Sequence, residues 1–198
     1  MSHRAALWVL PLFLAACAQS EAPASDATGE DADVAAAQDM APADPIEIAM
    51  SAGPRAITSE ATIMQVGADG SMTELRAGTN GWMCIPDDNP GAPGNAPMCV
   101  DGPWQAFLTG WMSGEPPQVD QLGVSYMLQG GPWASNEDPF ATAPPEGSDW
   151  VDEPPHLMIV VPDPAMLDGF PTDYTTGGPY VMWSGTPYAH LMVPVAEN

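Results

Sequence analysis

The 198-residue chain carries 26 aspartates and glutamates against three arginines and no lysine, a formal net charge of −23 at pH 7. Nucleic acid and anionic membrane surfaces are excluded as electrostatic partners, because no cationic patch exists to displace counterions from phosphates or lipid headgroups. With 24 prolines and 19 glycines, the chain is built for short elements joined by turns.

The N-terminus opens on His3 and Arg4. It runs through an apolar stretch from Ala5 to Leu14, broken only by Pro11, and reaches Ala15, Ala16 and Cys17. This is the layout of an export signal. A spanning helix needs about 20 apolar residues, and this run has roughly half that. The tetrapeptide Leu14-Ala15-Ala16-Cys17 resembles the lipobox of bacterial lipoproteins. The resemblance covers only the first 17 or so residues. It implies that residues 1–16 are removed and that the Cys17 thiol carries the lipid that anchors the chain to the cell envelope. Ala18 in the next position implies sorting to the periplasmic face of the outer membrane.

Residues 17–45 consist mainly of Ala, Asp, Glu, Pro and Ser, with no aromatic residue and only Val34 and Met40 as larger apolar side chains. Such a segment cannot bury enough surface to offset chain entropy, and it reads as a disordered acidic tether. Its flexible span is roughly 30 Å. Residues 46–198 hold every tryptophan except Trp8 and are long enough for a single domain with its own core.

Within that domain the alternation of apolar residues predicts strands at Thr62–Val66 and Met72–Arg76, joined as a hairpin through Gly67-Ala68-Asp69-Gly70. Further strands are expected at Trp82–Ile85, Leu122–Leu128, Leu157–Val161, Tyr180–Trp183 and Ala189–Val193. One amphipathic helix stands out over about 101–113. Asp101 is placed to cap it, Trp104, Phe107, Leu108 and Trp111 share one face, and Gly114 is placed to end it. A short turn is expected at Pro164–Leu167 behind Asp163. The fold class is α+β, a mainly antiparallel sheet with one principal helix and Pro/Gly-rich loops. If Cys17 is taken by lipid, Cys84 and Cys99 remain as a pair in a compartment that permits disulfides, and they are expected to bond.

Beyond His3 there are two histidines, in the same tripeptide twice over: His156-Leu157-Met158 and His190-Leu191-Met192. On strands, the period of two puts His and Met of each tripeptide on one face. Paired strands would then gather two imidazoles and two thioethers, a soft set suited to copper as Cu(I). The bland alternative is core filling, in which each histidine simply hydrogen-bonds within the core. Oxygen-rich loops at Asp87-Asp88-Asn89, Asn136-Glu137-Asp138 and 149–153 offer calcium-type donors, but none has the spacing of an EF-hand.

No GxSxG elbow, HExxH, GxxxxGK or dinucleotide fingerprint occurs, so no catalytic residue is assigned. The reading is a lipid-anchored envelope protein whose domain binds or supports something, with protein or small-molecule partners unnamed. The alternatives are a periplasmic copper-binding protein using His156, Met158, His190 and Met192, and a hydrolase in which Ser135, Ser148 or Ser184 pairs with a histidine base.

Overall fold

The structure, a computed structural model, describes residues 44–87, 89 and 91–196. The export signal, Cys17 and nearly all of the expected tether lie outside these residues, as does Asp88.

Two short helices come first, α1 (Pro45–Ser51) and α2 (Arg55–Thr58). Asp44 starts α1 by accepting a hydrogen bond from the Ile46 amide at 2.9 Å, with Pro45 pre-set in the first turn. Strands β1 (Thr62–Val66) and β2 (Met72–Arg76) follow as the expected antiparallel hairpin. Then come β3 (Met83–Ile85) and β4 (Met98–Val100), the twelve-residue helix α3 (Gly102–Ser113) and β5 (Gly123–Met127). A two-stranded pair, β6 (Gly131–Trp133) and β7 (Val151–Glu153), precedes β8 (His156–Val160), β9 (Tyr180–Met182) and β10 (His190–Pro194). A 3-10 turn at Pro164–Leu167, capped by Asp163, lies between β8 and β9.

The main sheet has eight strands in the order β2-β1-β3-β4-β5-β8-β10-β9. Every pairing is antiparallel except β1 with β3. The class is therefore α+β and mainly antiparallel. The described residues hold three helices where the sequence suggested one. Short apolar stretches punctuated by Gly53-Pro54 hid the first two.

Strand alternation decides what each face covers. In Met83-Cys84-Ile85 and Met98-Cys99-Val100 the middle residues share one face and the flanking residues the other. Cys84 and Cys99 are register partners, 4.0 Å apart at Cα, and form the expected disulfide. They belong to a core of Ala49, Ala52, Ala61 and Ile63 under α1 and α2. Met98 and Val100 turn the other way, into the larger core that α3 covers with Trp104, Phe107 and Leu108. Helix α3 starts where the Trp104 amide donates to Asp101 Oδ1 at 3.1 Å, and it ends at Gly114 with φ +71°. A third small core, of Leu167, Val181 and Ala189, lies around the 3-10 turn.

Candidate functional site

The face under α3 carries an unusual run of side chains. Met98, Met127, Met158, Met182 and Met192 are all buried there, together with His156 and His190. On the central strands the burial of alternate residues follows the period of two: His156, Met158 and Val160 on β8 point in, as do His190 and Met192 on β10.

Strands β8 and β10 are neighbours, so the two His-Leu-Met tripeptides do lie side by side. Antiparallel register places Met158 opposite Met192 and His156 opposite Pro194. His190 therefore lies about 13 Å along the strand direction from His156, four residues at strand rise. The two histidines thus stand at opposite ends of a row with the methionine pair between them. His156 still adds, after burial, to the lowering of the His190 pKa, and the four residues do not line one cavity.

The two histidines are held alike. His190 Nδ1 lies 3.0 Å from the Tyr188 carbonyl oxygen and His156 Nδ1 lies 2.7 Å from that of Pro154. A carbonyl only accepts, so each Nδ1 carries the proton and donates it, leaving each Nε2 as a bare lone pair. Neither Nε2 has a hydrogen-bond partner, and neither is reached by solvent. Burial holds both rings neutral, with the His190 pKa lowered to about 4, against the opposing effect of its hydrogen bond to Tyr188. His156 is shifted in the same direction for the same reason.

Their surroundings differ. His156 Nε2 is 3.8 Å from Glu153 Oε2, and Tyr180 donates its hydroxyl to Glu153 Oε1 at 2.8 Å. With no cation beside it, Glu153 is pushed by burial up to about 7. His190 instead stands in an aromatic box. Trp183, Trp104 and Phe107 approach it edge-on, with ring centroids 5.0, 5.3 and 5.6 Å away.

Beside His190 lies a cavity of about 30 Å³. Met98, Met127, Met158 and Met182 line it along with Trp104, Trp111, Trp133, Trp183 and the Glu153 side chain. Of the four residues singled out in the sequence, Met158 and His190 border this cavity, and His156 and Met192 do not. The sequence reading assigned no role to Met98, Met127 or Met182. Their signal was legible as methionine at the inward alternate position of β4, β5 and β9.

The oxygen-rich loops do not assemble. Asp87 Oδ1 accepts from the amides of Asn89 and Ala96, and Asp101 accepts from those of Trp104 and Val124, so both carboxylates organise backbone. Among the described residues no three His, Cys, Asp or Glu side chains are grouped to hold a metal ion. Ser135, Ser148 and Ser184 border a separate polar cleft of about 840 Å³ that neither histidine lines.

No protein-family model, curated protein or solved structure matches this chain.

Proposed function

We propose that this chain is an exported bacterial lipoprotein, anchored to the envelope through Cys17 and the acidic segment that follows it, whose domain binds Cu(I) at His190. In this reading α3 is the principal amphipathic helix and roofs the metal site. Met98, Met127, Met158 and Met182 supply thioether sulfurs around the ion.

One observation carries the reading. His190, its ring oriented by the Tyr188 carbonyl and its Nε2 without a partner, lines a methionine-rich cavity. An orphaned acceptor in a core is costly, and native cores rarely leave one without a reason. Water is a weak occupant, because it needs two to four polar neighbours and beside His190 this wall offers only Glu153 as an ionisable group. An organic ligand needs a pocket roughly ten times larger. A metal ion bonds to imidazole nitrogen at about 2 Å, inside the distance at which water can approach.

The donor set selects the metal. Thioethers and one imidazole are soft, neutral ligands that favour Cu(I) and offer calcium or magnesium little. The Cys84–Cys99 disulfide supports an oxidising compartment, where thiolate ligands would be lost to disulfides but methionine and histidine remain.

The test is anaerobic titration of the full chain with Cu(I) against a competing chelator. About one equivalent should bind, and His190→Ala or a Met158→Leu, Met182→Leu pair should abolish high-affinity binding. His156→Ala should retain it. Copper binding indifferent to His190 would overturn the reading.

A further inference from the structure

We propose that residues 128–155 form a door over the His190 cavity, hung at the Met127–His156 pair and latched by side chains of the fixed body. The proposal rests on the Cu(I) reading for the ligand that passes, though not for the motion itself.

Neighbouring strands β5 and β8 are joined by this excursion, which leaves after Met127 and returns at His156, and those two residues are register partners. The neck is tied down by backbone bonds: the Leu128 amide donates to Ala52 O at 2.9 Å and the Val195 amide to Pro155 O at 2.8 Å. Beyond the neck, β6 and β7 pair only with each other and stand outside the eight-stranded sheet. They nevertheless contribute Gly131, Pro132, Trp133 and Glu153 to the cavity wall. All other lining residues belong to α3, the main sheet or Trp183 just after β9.

What holds the excursion down is mostly side chain. Tyr180 donates its hydroxyl to Glu153 Oε1 at 2.8 Å. Trp111 donates its indole N–H to Pro139 O at 2.9 Å, and Trp183 donates its own to Ser135 O at 3.0 Å. Asn89 Nδ2 reaches Pro132 O at 3.4 Å. Such bonds release by rotamer change without unzipping a ladder, and segments attached this way open at the low end of a protein's local stabilities.

Two backbone features fit a moving part. Trp183 has φ +54°, the one non-glycine residue in the left-handed region among the described residues. For so bulky a side chain this is strained, and strain of this kind gathers at clamps and switches. The Trp183 amide donates to Asn136 O at 2.8 Å, so the strained residue is itself fastened to the door. At the root, Gly130 takes φ +65°, and a Cβ there would run into the Glu153 carbonyl oxygen. Only glycine lets the two legs of the excursion meet so closely.

The other wall is a poor door. The Trp104 indole is locked to Met158 O at 3.2 Å, and Asp101 ties the start of α3 to the Val124 amide on β5 at 2.7 Å. Solvent does not reach His190 Nε2, and the excursion, which lies outside the eight-stranded sheet, is the wall that can swing without breaking that sheet's ladder.

Tyr180 is buried but does not line the cavity, so Tyr180→Phe loosens the latch without changing a proposed copper ligand; Asn89→Ala, which touches neither Glu153 nor a ligand, is a milder second variant. In metal-free full chain, hydrogen exchange should be faster at 131–153 than in β5, β8 and β10, and about five- to tenfold faster again in Tyr180→Phe. Cu(I) uptake and release should accelerate together by a similar factor, with Kd changed less than about twofold, because the latch is broken equally in empty and loaded protein. Exchange at 131–153 matching that of the sheet, or copper rates unmoved in both variants, would overturn the door. If no copper binds at all, the exchange measurement still decides the door, and only the Cu(I) reading falls.

Discussion

Glu153 and His190 titrate in opposite directions inside one core, and the sign of each can be worked out. Glu153 has its folded pKa raised from 4.5 to about 7 by burial. Its contribution to stability is full below pH 4.5 and is lost as pH rises through 7, by about 3 kcal/mol. The His190 pKa is lowered from 6.5 to about 4, also by burial. Its contribution is full above pH 6.5 and is lost as pH falls through 4, again by about 3 kcal/mol. Between pH 4.5 and 6.5 the two oppose each other, and His156, lowered by burial as well, adds to the histidine side, so the wild-type stability should rise gently with pH there. Glu153→Gln keeps an oxygen for the Tyr180 hydroxyl and cannot ionise. Urea unfolding should find this variant about 2–3 kcal/mol more stable than wild type at pH 8 and little changed at pH 4.5. Its stability should then fall steadily as pH drops from 7, the histidine limb exposed alone. A variant no more stable than wild type at pH 8 would mean that Glu153 is not buried as described.

Helix α3 depends on a residue that serves two elements at once. Asp101 Oδ1 caps the helix through the Trp104 amide and Oδ2 accepts from the Val124 amide on β5. Asp101→Ala should cost about 2–3 kcal/mol in urea unfolding, a lost cap plus an unpaired amide. Asp101→Asn should recover about half, since its amide oxygen can cap but its NH2 cannot accept from Val124. The capping half of this was legible in the sequence, because Asp101, the aromatic spacing and Gly114 are local signals. So were β1 and β2, whose bounds follow alternation and a glycine turn. The link from Asp101 to β5 was not legible, because it spans 23 residues and depends on sheet order. Strands β4, β6 and β7 were not legible: each has three residues and adjoins or holds a proline that reads locally as a turn, Pro97 before β4, Pro132 within β6 and Pro154 after the acidic Asp152 and Glu153 of β7. At the site, the sequence put His and Met of each tripeptide on one face, as alternation requires. It could not supply the register of β8 against β10, which sets the two imidazoles apart and brings Met98, Met127 and Met182 to His190 instead.

At the scale of the whole chain, the cysteines and the cations constrain the same reading. Arg76, one of two arginines among the described residues, is spent internally, its Nη2 donating to Thr58 O and Ala61 O at 2.6 and 2.8 Å. Little positive charge is left to draw the protein to an anionic membrane, which is why the anchor proposed is a lipid. The proposed lipid on Cys17 and the disulfide between Cys84 and Cys99 would together leave no free thiol, which is why the copper donors proposed are thioether and imidazole. The two roles separate by substitution. Cys17→Ser in a bacterial host should abolish incorporation of labelled palmitate and release the chain from the membrane fraction, while Cu(I) binding by the domain stays intact. Cys84→Ala with Cys99→Ala should leave lipidation untouched but lower stability by about 3 kcal/mol, the loop constraint expected for their separation of 15 residues. Its copper affinity should hold wherever it stays folded, because the disulfide lies on the sheet face opposite the cavity. Palmitate that still labels Cys17→Ser would overturn the anchor. Copper lost from a folded disulfide-free variant would show instead that the two faces of the sheet are coupled.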